Sequence, residues 1–177
     1  SLLKLEEMIG SKIEILKRFD MEEDVLKLLN LARKEDIVVF IIGDPFSATT
    51  HIELMLEAKH AGIGVKVLNN ASIFTAIAET GLQLYKFGRT LTMTKEGSIS
   101  SIKDGINANK QIGLHTLLLL DIGMNIKEAC KRLIDAKILN NEKIVTCHFG
   151  KETQVKYILV DRASDLALPC AIIIPGK

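Results

Sequence analysis

The chain has 177 residues and a formal net charge of +1, with 47% hydrophobic and 25% charged residues. These values are typical of a soluble globular protein with one core or two small lobes. The balanced charge offers no basic excess for nucleic acid, and no apolar run approaches the roughly 18 residues that cross a bilayer. We therefore expect neither a nucleic-acid partner nor a membrane partner, and we expect no signal peptide.

The three cysteines are Cys130, Cys147 and Cys170. They are widely spaced and odd in number, so they match neither a zinc-ligand pattern nor a disulfide framework. We expect three buried thiols, no metal, and a reducing cytoplasmic location.

The opening segments carry helical patterns. Leu2–Ile9 and residues 21–34 place apolar side chains at helical spacing. Ile37–Ile42 is an uninterrupted apolar run of the type that forms a central parallel strand. We expect this strand to be buried on both faces.

Helical and strand patterns then alternate as far as residue 89. A helix is predicted over about residues 50–61, a strand over 64–68, and a short helix over 71–81. This order predicts βαβ units and a parallel sheet. The interpretation is an α/β fold whose first lobe covers residues 1–89.

The second lobe, residues 90–177, has a different order of elements. Most of its strand patterns follow one another with short polar turns, which predicts a mixed or antiparallel sheet. A polar segment with three glycines lies between the first two strands. The strand patterns lie at residues 89–94, 114–122, 142–150, 154–160 and 170–176, and one amphipathic helix is predicted over 125–139.

Polar residues follow two of the predicted parallel strands. Asp44 comes directly after the first strand and Asn69–Ser72 after the next. Ligands of open α/β sheets bind at these carboxyl ends. There is no GxGxxG or GxxxxGK motif, and a carboxylate repels phosphate. Asp44 suits a ligand with hydroxyls, an amine or a positive centre, as in S-adenosylmethionine, although it could equally be a helix N-cap.

The usual catalytic motifs are absent from the sequence. There is no HExxH and no GxSxG, and no Cys–His spacing supports a nucleophile. His51 and His115 are candidates for a base because of where they lie, but structural roles are open for both. His148 has no assigned role. We therefore leave the catalytic residue unknown.

Several motifs occur in an order that resembles the diphthine synthase family of the tetrapyrrole methylase superfamily. They extend over about 80 residues, with a weaker match in CHFGKETQVKYILV and IIIPGK. The motifs are GDP at Gly43–Pro45, ATTH at Ala48–His51, NASI at Asn70–Ile73, GLQLYKFG at Gly81–Gly88, and GLHTLLLLDI at Gly113–Ile122.

The resemblance implies a two-lobe homodimeric enzyme that binds S-adenosylmethionine in the cleft between its lobes and releases S-adenosylhomocysteine. The implied methyl acceptor is the amino group of a modified histidine, the diphthamide precursor, on translation elongation factor 2. In eukaryotic members a carboxylate is methylated as well.

The resemblance also implies which residues contact the cofactor. Ser72 and Ile73 match adenosine-side contacts, and Cys170 takes a position where many members have a histidine. The complete set of implied cofactor residues is Asp44, Ser47, Ser72, Ile73, Leu120, Phe149 and Cys170.

The chain also departs from the family pattern. It has no counterpart of the family's opening strand and glycine-rich loop, and it lacks two longer loops of the second lobe. Both ends look cut, so we expect the natural protein to have further residues. CHFG, at Cys147–Gly150, replaces an arginine-containing segment. Two alternatives stay open: a related methylase acting on a small molecule, and a non-catalytic remnant of the fold.

Overall fold

The structure is a computed structural model that describes residues 2–16 and 25–176. The chain divides into two compact units, Ser1–Ser72 and Ile73–Lys177. The α/β class predicted from the sequence is confirmed. The predicted lobe boundary at residue 89 stays a prediction.

The first unit contains helices α1 (Leu2–Ile9), α2 (Val25–Ala32) and α3 (Ile52–His60). Each lies within a segment whose apolar spacing predicts a helix, although residues 21–24 lie outside the described residues. At the end of α3 the chain turns through Gly62, whose φ of 73° suits glycine. There the amide of Ile63 donates to the carbonyl of Ala58 at 2.9 Å, a common way to end a helix.

The two strands predicted for the first unit differ from the structure. No strand is assigned in the described part of this unit, including residues 37–42 and 64–68. The prediction that Ile37–Ile42 is buried on both faces is wrong, since Val38 is 71% exposed and Phe40 is 53% exposed. A β-type sequence favours a pleated, partly buried surface. It forms a strand only when a neighbouring strand pairs with it.

The second unit is built on a five-stranded mixed sheet, as predicted. Its strand order is β1-β2-β5-β3-β4, with β1 and β2 parallel and all the other pairs antiparallel. The strands are β1 (Leu91–Met93), β2 (Thr116–Leu120), β3 (Lys143–His148), β4 (Gln154–Leu159) and β5 (Cys170–Ile174).

Helices α4 (Ile73–Ala76), α5 (Ile99–Gln111) and α6 (Ile126–Asp135) also belong to the second unit. Single 3₁₀ turns cover Ile77–Thr80, Leu84–Lys86 and Val160–Arg162. Helix α6 begins where the sequence predicts. The side chain of Asn125 caps it by accepting from the Glu128 amide at 2.8 Å.

Helix α5 is absent from the sequence-based predictions. Its segment is polar and contains Gly105, and glycine weakens a helix by about 1 kcal/mol relative to alanine. The structure explains why glycine is required at this position, since a Cβ there would lie 2.5 Å from a methyl carbon of Leu91. Gly105 lets α5 approach β1 closely, while Ile102 and Ile106 are buried.

The sheet separates two clusters of apolar side chains, because successive strand residues point to opposite faces. On the face that α5 and α6 cover, the helical-face cluster includes Met93, Ile106, Leu118, Ile126, Leu133, Ile144 and Ile172. On the other face, the opposite-face cluster comprises Ile77, Leu117, Val145, Cys147, Ala171 and Ile173.

A buried amide joins α5 to the start of the sheet. Asn109, 3% exposed, accepts from the amide of Arg89 at 3.0 Å and donates to its carbonyl at 2.8 Å. It also donates to the Thr116 hydroxyl at 2.9 Å. A side chain at position 88 would meet this amide at 2.3 Å, so Gly88 is required beside it.

Two buried threonines on the sheet should respond oppositely to substitution by valine. Among the described residues Thr146 Oγ1 is buried without a hydrogen-bond partner, whereas Thr116 Oγ1 accepts from Asn109. Removing an unpaired hydroxyl while keeping the shape should make Thr146→Val more stable by about 1 kcal/mol. Thr116→Val leaves a buried amide N–H unpaired and should cost about 1–3 kcal/mol.

The free energy of unfolding, measured by urea denaturation of both variants, tests this pair. A loss of stability in Thr146→Val comparable to that in Thr116→Val would mean that the Thr146 hydroxyl has a partner in solution.

Candidate functional site

The carboxylate of Asp44 organises a tight turn in the first unit. Its Oδ1 accepts from the Phe46 amide at 3.0 Å and from the Ser47 hydroxyl at 2.9 Å, the pattern of an Asx turn. Gly43 precedes it with a φ of 83°. Helix α3 begins only at Ile52, and its N-cap residue is His51. Asp44 therefore does not cap α3, so the N-cap alternative is wrong.

These hydrogen bonds also fix the ionisation of Asp44. The Phe46 amide lowers its pKa most, followed by the Ser47 hydroxyl, because both stabilise the charged form. The Asp44 carboxylate is ionised at neutral pH. Its negative charge at this turn disfavours phosphate and favours hydroxyls and cations.

The turn lies beside the segment that follows the second predicted strand. The Asn70 amide donates to Asp44 Oδ2 at 3.2 Å, and the Ala71 amide donates to Asn70 Oδ1 at 2.8 Å. The structure thus brings the GDP and NASI segments together within the first unit. Ser72, a predicted cofactor contact, is half-buried at the end of this segment. The role of the Asn70 amide went unpredicted, because backbone donors leave no side-chain signature.

The ATTH segment forms a second turn between Asp44 and α3. Ala48 has a φ of 57°, which is unusual for a residue other than glycine. The Thr49 hydroxyl lies 2.7 Å from Nδ1 of His51. One nitrogen of this predicted base candidate is therefore engaged in a local hydrogen bond.

The other predicted cofactor residues belong to the second unit and are all half-buried. Ile73 and Phe149 pack against the opposite-face cluster. Leu120 and Cys170 pack against the helical-face cluster. These four residues therefore fall into two pairs, one on each face of the sheet.

A carboxylate closes the parallel end of the sheet, next to Leu120. Asp121 Oδ2 accepts from the Lys95 amide at 3.1 Å, and Oδ1 accepts from the Ile122 amide at 2.8 Å. The amide of Asp121 donates to the Met93 carbonyl at 3.0 Å. Asp121 thereby joins the ends of β1 and β2 and fixes the backbone that carries Leu120.

The ring of His115 has a fixed hydrogen-bonding pattern. Its Nδ1 accepts from the Gly176 amide at 2.8 Å, and its ring lies edge-on to Phe87 at 5.3 Å between centroids. Burial lowers its pKa most, and the charge of Lys86 lowers it further. Since Nδ1 is an acceptor, the proton of the neutral ring is on Nε2. The structure supports the interpretation of His115 as a satisfied polar residue at a strand start.

The three cysteines are free thiols; Cys130 and Cys147 are buried as predicted, whereas the burial predicted for Cys170 is wrong, since this residue at the start of β5 is only half-buried. Burial raises the pKa of Cys130 and of Cys147 to about 12 and also raises that of the half-buried Cys170. The thiols are therefore protonated at neutral pH. In the described ranges no cluster of three or more His, Cys, Asp or Glu side chains could hold a metal ion.

A groove in the second unit lies away from the predicted residues. It has a volume of about 370 Å³ between α6 and the turn at Val160–Arg162, and is lined by Lys127, Cys130 and Asp161 among others. None of the predicted cofactor residues lines it. Over the part of the chain that the structure covers, no helix is long and apolar enough to cross a membrane.

Comparison with known proteins gives the class of this protein. The family model described as Tetrapyrrole (Corrin/Porphyrin) Methylases matches residues 6–166. The chain therefore belongs to the tetrapyrrole methylase family.

Individual relatives narrow the class to diphthine synthases. The chain is 38% identical to the diphthine synthase of Methanocaldococcus jannaschii over 178 residues, which cover 92% of this chain and 65% of the relative. It is 42% identical to the diphthine methyl ester synthase of Homo sapiens over 121 residues, which cover 67% of this chain and 42% of the human protein.

A solved structure agrees with this assignment. A crystal structure of diphthine synthase superposes with a TM-score of 0.90 at 30% identity, over 100% of this chain and 74% of that one. The family resemblance stated from the sequence motifs is confirmed. The chain spans 65% of the length of the archaeal diphthine synthases that it matches.

The lowered pKa of His115 predicts a pH dependence of stability. The unfolded chain binds a proton near the ordinary pKa of 6.5, whereas the folded chain binds it only at lower pH. The stabilisation is thus present above the unfolded pKa and is lost as pH falls through the folded pKa. His115→Asn, whose Oδ1 can still accept from the Gly176 amide, should lose less stability on acidification.

Urea denaturation between about pH 7.5 and pH 5 measures this difference, because linkage relates its slope to bound protons. An identical decline in stability for the unsubstituted chain and His115→Asn would exclude His115 as a source of the pH dependence.

Proposed function

We propose that this protein is an S-adenosylmethionine-dependent methyltransferase of diphthamide biosynthesis. The observation that carries the proposal is the ionised Asp44 carboxylate at the GDP turn, bonded to the Asn70 amide of the NASI segment. The names of its relatives, diphthine synthase and diphthine methyl ester synthase, give the reaction class.

The first unit offers a charge-complementary site for the cofactor. Each carboxylate oxygen has about two acceptor positions; Phe46 and Ser47 donate to Oδ1 of Asp44, and the Asn70 amide takes one position on Oδ2. We assign the remaining position on Oδ2 to a hydroxyl or ammonium of S-adenosylmethionine. Ser47 and Ser72 complete the first unit's contacts in this proposal.

The second unit offers apolar contacts. Ile73, Leu120, Phe149 and Cys170 are packed on one side and keep part of their surface exposed. Covering such surface with a ligand contributes roughly 25 cal/mol per Å² of apolar area. We propose that all four contact the cofactor.

When bound, S-adenosylmethionine supplies a methyl group on a positively charged sulfonium. Charge disperses as the methyl group moves to an amine, so the protein needs little acid catalysis. Alignment of the amine supplies most of the acceleration, with about 7–11 kcal/mol available from orientation. The acceptor amine must be unprotonated to react.

We propose that the methyl acceptor is the amino group of the diphthamide-precursor histidine on translation elongation factor 2. The reaction would take place in the cytoplasm, with the protein acting as a homodimer. A related methylase acting on a small molecule is the second candidate, because the matching family model is named for methylases of tetrapyrroles. The diphthine names of the relatives favour the first.

Methyl transfer to elongation factor 2 tests this function. The intact protein, given S-adenosylmethionine and elongation factor 2 with its precursor side chain, should add methyl groups that peptide mass spectrometry locates on that histidine. Asp44→Ala should slow transfer by about 10- to 100-fold at limiting cofactor, since a hydrogen bond to a charged group contributes about 1.5–3 kcal/mol.

Asp36→Ala is the matched control, since it removes an exposed carboxylate from the same unit. Its activity should equal that of the unsubstituted protein. Transfer to a tetrapyrrole but not to elongation factor 2 would favour the second candidate, and transfer to neither would favour a non-catalytic role.

A further inference from the structure

The imidazole of His148, the last residue of β3, is held in one tautomer. Its Nδ1 lies 2.8 Å from the carbonyl oxygen of Pro169. A carbonyl only accepts, so Nδ1 carries the proton and donates it. In the neutral ring Nε2 then has a lone pair and no proton. His148 is therefore built to accept a proton at Nε2.

Nε2 of His148 keeps a small accessible surface, because among the described residues Thr146 Oγ1 is the one buried polar side-chain atom without a hydrogen-bond partner. The whole residue is 8% exposed, and Gly150 packs against its ring, since a Cβ at position 150 would lie 2.5 Å from Nε2. Any larger residue than Gly150 would thus clash with the ring. On the neighbouring strands, Cys170 and Gln154 lie opposite His148. Burial keeps the Cys170 thiol protonated by raising its pKa, so it adds no charge.

The other base candidates are less suited to accept a proton. His115 already uses its free lone pair to accept from the Gly176 amide. Both oxygens of Asp121 accept from backbone amides. His51 has Nδ1 engaged with the Thr49 hydroxyl. His148 differs from these three side chains. Because its Nδ1 donates to the Pro169 carbonyl, its Nε2 is left as a proton acceptor.

We propose that Nε2 of His148 takes the proton from the methyl-accepting ammonium. The inference rests on the proposed function, in which Cys170, opposite His148 on β5, contacts the cofactor. The N–H bond of the ammonium breaks and its electron pair stays on nitrogen, while the proton forms imidazolium. The nitrogen then bonds the methyl carbon, and the electron pair of the broken carbon–sulfur bond stays on sulfur.

The carbonyl of Pro169 has a defined part in this step. It accepts from Nδ1–H in the neutral ring and in the imidazolium, and the bond strengthens when the ring is charged. This arrangement orients the imidazole and stabilises the product of proton transfer. The proton leaves to solvent before the next turnover.

His148→Asn tests the proposal, because the asparagine amide can still donate to the Pro169 carbonyl but cannot take up a proton. We expect kcat on elongation factor 2 to fall by about 10²-fold or more, the usual contribution of a general base. Affinity for S-adenosylhomocysteine should be unchanged. The defect should shrink as pH rises, because solvent then deprotonates the amine.

Neighbouring groups must be included when the pH profile is read. The titratable side chains on the same sheet face of the adjoining strands are Cys170 on β5 and Lys156 on β4. Gln154→Ala, which changes an uncharged neighbour on β4, is the control and should keep the pH profile of the unsubstituted protein.

Gly150→Ala is a second, independent variant, because its methyl group would clash with Nε2 and displace the imidazole without removing it. It should reduce kcat with little change in cofactor affinity. Equal kcat in His148→Asn and the unsubstituted protein across the pH range would overturn the proposal. So would a parallel loss of cofactor affinity, which marks a structural role. An inactive unsubstituted protein would instead contradict the proposed function.

Discussion

The second unit depends on the insertion of its last strand into the middle of its sheet. Strand β5 lies between β2 and β3 and is antiparallel to both. It supplies Ile172 to the helical-face cluster and Ile173 to the opposite-face cluster. Both cores therefore need residues from the end of the chain, and the same strand places Cys170 opposite His148.

In the first unit a charged group joins two segments of the chain. The Asp44 carboxylate joins three donors from two segments that are 26 residues apart in sequence. Because these donors stabilise the ionised form, structure and charge are linked at this turn. Under the proposed function, the carboxylate that orders the loop would also select the ligand class.

Much of the second unit could be predicted from the sequence because its strands are strongly apolar and bounded by polar turns. Helix α5 could not be predicted, since Gly105 lowers helix propensity. The reason for this glycine is the close contact with Leu91, which the sequence does not reveal. The burial expected for Ile37–Ile42 was wrong because a pattern specifies a preference and not the neighbour that satisfies it.

The candidate site was predictable in part for a similar reason. The position of Asp44 after a strand-like run and the absence of phosphate motifs pointed to the ligand class. Family motifs supplied the remaining residues, but they could not tell which sheet face each would occupy. The tautomer of His115 depends on an amide 61 residues away and that of His148 on a carbonyl 21 residues away, and no sequence motif encodes either partner.

The central claim is that Asp44 holds a methyl-donor cofactor, and calorimetric titration with S-adenosylhomocysteine tests it most directly. The intact protein should bind at micromolar concentration, and Asp44→Ala should lose that binding while keeping its unfolding transition. No binding by the intact protein, or equal binding by Asp44→Ala, would contradict the account.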